Sequence, residues 1–262
     1  MFDEDKLLNH LYREEDRLLG SHILDKCEQV LKYHKTQAAD FLNPYQIEIA
    51  SPLIEQIAEI NFKKEGGYPG AERKRLVIFP EYLFPDLVEK QIKIYQLDGN
   101  FAFQKLSHRD FLGALMGLGL KREMIGDILV HSDFAQIITA VEIEDIIELK
   151  LDKVHQVPIE VKKITESELV KPVKHEKEIM TTVASMRLDS VASSGFGDSR
   201  SKMSRDIESG KVKLNWKLES DPAAEVEIGD LLSVRGRGRV KVEEKRGISN
   251  KGRIKLTLKR LT

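Results

Sequence analysis

The sequence predicts an α+β protein with more than one domain, on three observations. Apolar residues recur at helical spacing through about the first 60 positions. Further along, they gather into short runs typical of strands, interleaved with two helical stretches. The final part of the chain forms a separate, basic unit. We therefore expect a helical segment over residues 1–65, a mixed domain over 66–165, a linker over 166–180 and a C-terminal domain over 181–262.

The composition points to a globular protein in a reducing compartment. The 262-residue chain is 41% hydrophobic and 32% charged, which excludes both a disordered chain and a membrane protein. The acidic start, Met1–Asp5, lacks the features of a secretory or transit signal. The single cysteine, Cys27, excludes an internal disulfide and falls on an apolar helical stripe, so we expect it in the core. A cytoplasmic protein without membrane contacts follows.

The N-terminal segment predicts three helices. Apolar runs over Leu7–Leu19 and Ile23–Leu31 have helical spacing, and Gly20-Ser21 between them predicts the end of one helix and the cap of the next. Asn43-Pro44 predicts a turn. Ser51-Pro52 predicts the start of a third helix.

The middle domain begins after a glycine-rich loop and alternates between strands and helices. A helix capped by Ser107 and another through Ile143–Ile147 are expected. From residue 91 the order is strand, helix, strand, strand, helix, strand, which is the split βαβ order of ferredoxin-like (RRM-like) folds. An additional strand precedes it. The predicted strands are Leu76–Phe79, Ile92–Leu97, Asp127–His131, Ala135–Ala140 and Val157–Ile164.

The C-terminal domain predicts two short helices followed by strands. The first carries an apolar face through Leu188, Val191 and Ala192. The second spans Ser199–Ser209 and ends at Gly210, a left-handed helix terminator. The strands are Val212–Leu214, Leu231–Val234, Arg239–Val242 and Ile254–Leu258, and Arg235–Arg239 predicts a basic hairpin rim.

Charge separates this domain from the rest of the chain. Residues 181–262 contain 18 Lys+Arg and 11 Asp+Glu, a net charge of +7, whereas residues 1–180 contain 24 and 32, a net charge of −8. A basic domain on an acidic body predicts a polyanionic partner for the basic part.

Motifs of the C-terminal domain carry a family resemblance. Arg187-Leu188-Asp189, Ser199–Lys202, Ile207–Val212 and Gly229-Asp230 resemble the S4 RNA-binding domain over about residues 182–244. The resemblance implies an L-shaped module of two helices and a twisted sheet that grips structured RNA through phosphates. It places RNA contacts on the helices and nearby turns, at Arg187, Ser199, Arg200, Lys202, Arg205, Lys211, Asn215, Lys217 and Arg235.

One position departs from that family. Many S4 domains have Asn-Gly in the hairpin after the second helix, whereas this chain has Asn215-Trp216-Lys217. Trp216 either packs against the preceding domain or stacks on an exposed base, and the sequence leaves both interpretations open.

The Asn-Trp-Lys form and two further segments resemble the YlmH-type branch of S4 proteins. These segments are Gly66–Arg75 and Asp110–Gly119, the latter followed by Lys121–Glu123 and Ile125–Ile128. The resemblance then covers about residues 40–262. Length and the helical N-terminus look closest to a subgroup labelled photosystem II S4 domain proteins, a label that implies no photochemistry here. The family implies binding to the ribosome, in particular to a large subunit carrying a stalled peptidyl-tRNA, in ribosome-associated quality control.

The middle domain carries two basic clusters beside glycines: Arg73, Lys74 and Arg75, and Lys121 with Arg122. They predict either secondary RNA contacts or solvated loop charge. The strands lack the aromatic run of a stacking RNA-recognition motif, so any RNA contacts here would come from loops.

The alternative to a binding protein is an RNA-modifying enzyme, pseudouridine synthase- or methyltransferase-like, that uses the S4 domain to hold its substrate. Arg187-Leu188-Asp189 echoes the synthases, whose aspartate is the nucleophile, but the residues that follow differ and no catalytic domain surrounds it. We therefore interpret Asp189 as structural. Lys202–Arg205 echoes the Lys-Met-Ser-Lys loop of aminoacyl-tRNA synthetases but lies inside a predicted helix.

No constellation for catalysis is recognisable, and the scattered histidines predict no metal site. We expect a non-catalytic protein without cofactors that binds structured rRNA, with or without tRNA, on the large ribosomal subunit. DNA and membranes are not expected partners. A protein-interaction adaptor with an acidic docking body is a third possibility.

Overall fold

The structure, a computed structural model, describes residues 2–101, 104–171 and 176–261. The chain divides into two compact units, Met1–Pro172 and Val173–Thr262. Residues 172–175 of the predicted linker lie outside the described residues. No helix in the described part is both long and apolar enough to cross a membrane.

The first unit contains five helices and eight strands among its described residues. The helices are α1 (Glu4–Leu8), α2 (Glu14–Tyr33), α3 (Pro44–Glu55), α4 (His108–Gly117) and α5 (Glu144–Lys150). The strands are β1 (Gln37–Ala38), β2 (Ile60–Glu65), β3 (Arg75–Pro80), β4 (Ile92–Gly99), β5 (Ile125–Val130), β6 (Phe134–Ala140), β7 (Lys153–Val154) and β8 (Val157–Lys163).

Helix α2 is continuous, so the break predicted at Gly20-Ser21 is wrong. Gly20 is buried, and a Cβ on it would lie 2.5 Å from Leu8 Cδ2. This glycine therefore allows close approach between helices instead of ending one. The helices α2 and α3 enclose an apolar core with Cys27 at its centre, fully buried.

Helix α3 begins earlier than the sequence predicts. Asn43 caps it: its side chain accepts from the Gln46 backbone N–H at 3.0 Å, and the Gln46 side chain accepts from the Asn43 N–H at 2.9 Å. This reciprocal capping box makes Pro44 the first helical residue, which suits a residue without an N–H. Ser51-Pro52 lies inside the helix and does not start it.

The segment predicted to be helical also contains two strands. A three-stranded antiparallel sheet forms in the order β1-β3-β2. Strand β3 contains the additional strand that the sequence places in the middle domain ahead of the split βαβ order, but in the structure it belongs to this N-terminal sheet. Its six residues, Arg75–Pro80, are all buried, which explains why their sequence is a continuous apolar run after Arg75.

The ferredoxin-like order of the middle domain is confirmed. Strands β4, β5, β6 and β8 form an antiparallel sheet in the order β5-β6-β4-β8, extended by the short β7, with α4 and α5 as the two crossovers. Ser107 caps α4 in a capping box with Asp110. Tyr95 and Phe111 are fully buried in the shared core.

The second unit is a six-stranded antiparallel sheet with two helices. The helices are α6 (Leu188–Phe196) and α7 (Arg200–Glu208). The strands are β9 (Glu176–Val183), β10 (Val212–Leu214), β11 (Lys217–Leu218), β12 (Leu231–Val234), β13 (Gly238–Ile248) and β14 (Ile254–Leu261). Their order is β11-β10-β12-β13-β14-β9. Met203 and Ile207 point into the core, as the helical pattern predicts.

Strand β9 overlaps the predicted linker and differs from that expectation. It pairs with β14 along its whole length, from Glu176 opposite Leu261 to Val183 opposite Ile254. Charged side chains are common on edge strands because they discourage pairing with other chains. The same polarity makes β9 look like a linker in the sequence.

Candidate nucleic-acid interface

Asp189 connects the beginnings of the two C-terminal helices. Its side chain is 4% exposed, and its Oδ2 lies 3.1 Å from Arg187 Nη2 and 3.0 Å from Arg200 Nε. Arg187 is the N-cap of α6, and Arg200 is the first residue of α7. Burial opposes ionisation of this carboxyl group, but hydrogen bonds from both arginines outweigh it and hold its pKa below the ordinary value.

Two guanidinium groups from two helices are thus held by one buried carboxylate. Their side chains are 41% and 49% exposed, so they reach solvent beside each other with an excess of positive charge. A guanidinium presents five N–H donors in a planar fork, and the donors not used by Asp189 can meet a phosphate. The position of Asp189 agrees with the structural role expected for it.

Helix α7 carries the next group of cations. Ser199 caps it, because the Ser199 Oγ accepts from the Lys202 N–H at 3.3 Å. Lys202 Nζ lies 2.9 Å from Asp198 Oδ1. Arg205 is exposed and donates to the Ser201 carbonyl oxygen at 3.4 Å. We call Arg187, Arg200, Lys202 and Arg205 the α6–α7 basic face.

Arg237, which the sequence predicts only as part of a basic hairpin rim, also lies beside this helix. It forms ion pairs with Asp198 and, at 3.6 Å, with Asp206. Lys211 Nζ pairs with the other oxygen of Asp206 at 3.0 Å. The turn between β12 and β13 brings Arg237 next to α7. Because the contacting residues are far apart in the sequence, no local pattern predicts this contact.

The remaining predicted contacts differ in their availability. Lys217 and Arg235 are exposed. Asn215 instead has an internal role: its Nδ2 donates to Asp230 Oδ1 at 2.7 Å and its Oδ1 accepts from the Leu231 N–H at 2.9 Å. These bonds engage both ends of the amide, so Asn215 fixes the hairpin turn. The residue is exposed, and its contact with RNA stays a prediction.

Trp216 has an unusual backbone conformation. Asn215 and Trp216 have φ angles of 48° and 64° and form the two-residue connection between β10 and β11. Positive φ at both positions is typical of a type I′ hairpin turn, where Asn-Gly is preferred. A bulky residue there costs on the order of 1–3 kcal/mol. The side chain of Trp216 is half-buried.

Arg75 of the middle-domain clusters is corrected from a surface contact to a core residue. It is 2% exposed. Its Nη1 and Nη2 each donate to an oxygen of Glu142 at 2.7 Å, and its Nε donates to the Ala39 carbonyl oxygen at 2.7 Å. A guanidinium satisfied in this way cannot reach RNA, so Arg75 holds the N-terminal sheet against the middle domain.

Arg73 and Arg122 are likewise engaged with the backbone. Arg73 donates to the carbonyl oxygens of Phe41 at 2.6 Å and Ile125 at 3.0 Å. Arg122 donates to the Ile125 oxygen and, at 3.4 Å, to that of Gly126. Burial lowers the pKa of both arginines, that of Arg73 to about 10. Their guanidinium groups are therefore structural.

Lys74 and Lys121 complete these two clusters. Lys74 is half-buried, and its backbone N–H and carbonyl pair with Leu42. Lys121 is exposed. Of the five predicted secondary contacts, it is the one with an exposed side chain, and an RNA contact from it stays a prediction.

Asp127 explains why the two signature segments of the first unit occur together. Its carboxylate accepts from the Tyr68 hydroxyl at 2.7 Å and from the backbone N–H groups of Glu72 and Arg73 at 2.8 and 3.0 Å. Burial, followed by the hydrogen bond to Asp127, raises the pKa of Tyr68. The carboxylate of Asp127 therefore holds the glycine-rich loop against β5.

Within the described residues, no three His, Cys, Asp or Glu side chains lie close enough together to hold a metal ion. The acid that the enzyme interpretation would use, Asp189, is buried between two arginines. That arrangement stabilises a carboxylate but restricts its access to a substrate.

Family models match most of the chain in three consecutive regions. Residues 15–83 match a model described as “YlmH, N-terminal”, and residues 85–168 match “Putative RNA-binding domain in YlmH”. Residues 186–232 match the S4 domain, so the α6–α7 basic face lies within that match. Fold and comparison together define an S4-domain protein with a ferredoxin-like domain before it.

Two similar proteins place the chain more closely. It is 33% identical over 249 residues to “Ribosome-associated protein quality control protein P2” of Bacillus subtilis (strain 168), covering 95% of this chain and 96% of that protein. The solved structure “Cell division protein ylmH from Streptococcus pneumoniae” has the same fold, with a TM-score of 0.53 at 22% identity, over 61% of this chain and 97% of that one. The chain belongs to the YlmH family.

Proposed function

We propose that this protein binds structured RNA through the α6–α7 basic face and acts on the ribosome. The observation that supports it best is the pairing of Arg187 and Arg200 on the buried Asp189. Guanidinium groups held in place bind phosphate more favourably than flexible lysine side chains do, because they lose less conformational entropy per contact. The net charge of +7 over residues 181–262 adds long-range attraction.

The ribosomal part of the proposal rests on the similarity to the Bacillus subtilis protein, whose name describes ribosome-associated quality control. More specifically, we propose that the chain binds rRNA of the large subunit, with a stalled peptidyl-tRNA as a second contact. Binding through phosphates suits both RNAs, since both present ordered phosphate arrays.

We further propose that the protein is not an enzyme. Asp189, which would be the nucleophile in a synthase-like reaction, is 4% exposed and shared by two guanidinium groups. A nucleophile must reach the reacting atom of its substrate. The carboxylate of Asp189 instead contacts Arg187 and Arg200. The competing hypothesis is an RNA-modifying enzyme that uses Asp189 as its nucleophile.

The experiment uses the full chain. Wild type, the double variant Arg200→Ala/Lys202→Ala and the control Lys105→Ala/Lys150→Ala are compared in salt-dependent binding to rRNA and in co-sedimentation with large subunits. Both double variants remove two exposed cations. The first should reduce the log–log salt slope by about two units, because each lost phosphate contact removes about one.

Co-sedimentation should decrease in parallel for the α7 variant alone. Its melting temperature should fall moderately, because Arg200→Ala leaves the buried Asp189 with one arginine partner, whereas the exposed Lys202 ion pair contributes only about 0–1 kcal/mol. Binding is therefore measured well below the melting temperature of the variant. A folded α7 variant that binds RNA and large subunits as wild type does would remove this helix from the interface.

A further inference from the structure

The hairpin formed by β13 and β14 extends beyond the region that matches the S4 domain. That match ends at residue 232, whereas the hairpin turns between Ile248 and Ile254. We call residues Lys245–Lys255 the hairpin tip. In its 11 residues the tip has five cations and no Asp or Glu: Lys245, Arg246, Lys251, Arg253 and Lys255. All five are exposed.

Most of this charge is not neutralised within the protein. Arg246 pairs with Glu244 at 2.8 Å. In the described part of the chain, no carboxylate lies within ion-pair distance of Lys245, Lys251 or Lys255. The tip therefore differs from the α6–α7 basic face, where most cations have an acidic neighbour.

Hydrogen bonds within the tip and to strand β9 hold its turn in place. The Ser249 N–H donates to the Arg253 carbonyl oxygen at 2.7 Å, and the Gly252 N–H donates back to the Ser249 oxygen at 2.9 Å. The Arg253 guanidinium donates to Thr182 Oγ1 at 3.1 Å and to the Thr182 carbonyl oxygen at 2.7 Å, which ties the tip to β9. Its partners are neutral, so its charge persists. Preformed loops lose little entropy on binding.

The register of the sheet places the tip near the first helix of the unit. Ile254 lies opposite Val183 at the end of β9, and Arg187 follows Val183 by four residues. Four residues span at most about 14 Å, even when fully extended. The tip and Arg187 therefore lie at the same end of the sheet, within reach of one extended ligand.

We propose that the hairpin tip is a second RNA-binding element, which contacts phosphates of the same structured RNA that the α6–α7 basic face binds. Five cations without an acid on a fixed β-hairpin match a polyanion better than a protein surface, where charges of both signs would be expected. The inference rests on the proposed function and extends it to a part of the chain outside the S4 match.

The test compares two triple variants of the full chain with the same change in net charge. Lys245→Ala/Lys251→Ala/Lys255→Ala removes the three lysines of the tip that lack an acid partner. Lys105→Ala/Lys150→Ala/Lys153→Ala removes three exposed lysines of the first unit. The tip variant should lose at least about tenfold in rRNA affinity at moderate salt and about two to three units of log–log salt slope. The control should bind as wild type does.

The outcomes separate this inference from the proposed function. If Arg200→Ala/Lys202→Ala weakens RNA binding and the folded tip variant does not, the tip inference is wrong and the proposed function stands. If the tip variant binds free rRNA normally but no longer co-sediments with large subunits, the tip contacts protein, and the RNA assignment is overturned. Failure of wild type to bind any structured RNA overturns both.

Discussion

Asp189 shows how one buried side chain can organise a surface. It contributes nothing to the surface itself, yet Arg187 and Arg200 owe their positions to it. A buried carboxylate without its partners would be strongly destabilising, so the two arginines and Asp189 depend on one another. The sequence predicts a structural role for Asp189, but not that one oxygen serves both helices.

Asp189→Asn should lower the free energy of unfolding by about 1–3 kcal/mol, because it weakens two charge-assisted hydrogen bonds. The pKa of Asp189 in the folded protein is below its ordinary value of 3.8. The contribution is therefore complete above about pH 5 and is lost as the pH falls through the folded pKa. Thermal melts from pH 8 to pH 3 should show a constant difference in melting temperature between wild type and variant, which decreases only in acid.

The same variant addresses the enzyme hypothesis. RNA incubated with pure wild type and common cofactors should contain no new nucleotide by mass spectrometry. A modified nucleotide that appears with wild type and disappears with Asp189→Asn would establish the enzyme instead.

Arg75 is the residue for which the sequence is most misleading. It ends a basic run after a glycine-rich loop, which is typical of a solvated turn, yet it lies in the core. Its partner Glu142 is 67 positions away. Only the tertiary fold creates that contact, so no local pattern predicts it.

Arg75→Met should lower the free energy of unfolding of the first unit by about 1–3 kcal/mol, because the Ala39 carbonyl oxygen loses its donor and Glu142 loses its bidentate partner. The Glu142 side chain is half exposed, so water can solvate the carboxylate that is left. RNA affinity, measured well below the melting temperature, should stay at the wild-type value. Lys121→Ala serves as a surface control with unchanged stability. Weaker RNA binding by folded Arg75→Met would return this cluster to the interface.

At the scale of elements, α2 illustrates how a glycine can be mistaken for a helix end. Glycine is a poor helix former, and the pair Gly20-Ser21 looks like a terminator followed by a cap. The packing of Leu8, Leu11 and Leu53 against Gly20 overrides that preference.

Two alanine substitutions separate packing from helix propensity. Gly20→Ala should be destabilising although alanine favours helices by about 1 kcal/mol, because the new Cβ would lie 2.5 Å from Leu8 Cδ2. Gly113→Ala in α4 should be stabilising by up to about 1 kcal/mol, since nothing lies within 4 Å of its Cβ position. Denaturant unfolding of both variants measures the difference. Equal effects of the two substitutions would contradict the packing explanation.

The elements that the sequence predicts best are those with one buried face. Strands β4, β5, β6 and β8 and helices α4, α6 and α7 follow their apolar periodicity, and Ser107 caps α4 where expected. The missed strands are different. β2 has Lys63 and Lys64 at its centre, and β9 is an edge strand with exposed charges. Their hydrogen bonds to neighbouring strands, invisible in the sequence, decide their conformation.

At the scale of the molecule, charge and architecture divide the chain near the same place. Residues 173–262 contain 20 Lys+Arg and 13 Asp+Glu, a net charge of +7, and residues 1–172 contain 22 and 30, a net charge of −8. The second unit has its own core and completes its sheet with β9. It therefore has what a domain needs to fold alone.

The position of β9 makes this testable. A fragment of residues 173–262 should melt cooperatively, whereas one of residues 181–262 lacks five of the eight residues of β9 and exposes the edge of β14. The shorter fragment should have a clearly lower melting temperature and should self-associate, as sheets with bare edges do. Calorimetry and size-exclusion chromatography of the two fragments measure this, and identical behaviour would make β9 dispensable.

The buried Cys27 gives the molecule a built-in reporter. It is the single cysteine of the chain, it is fully buried in the core between α2 and α3, and burial raises the pKa of its thiol to about 12. Because the thiolate is the reactive form, maleimides and disulfide reagents can modify Cys27 only when that core opens. Its labelling rate therefore follows the opening equilibrium of the N-terminal helices. A cysteine introduced on the hairpin tip could carry a fluorophore while Cys27 stays unlabelled in the native protein.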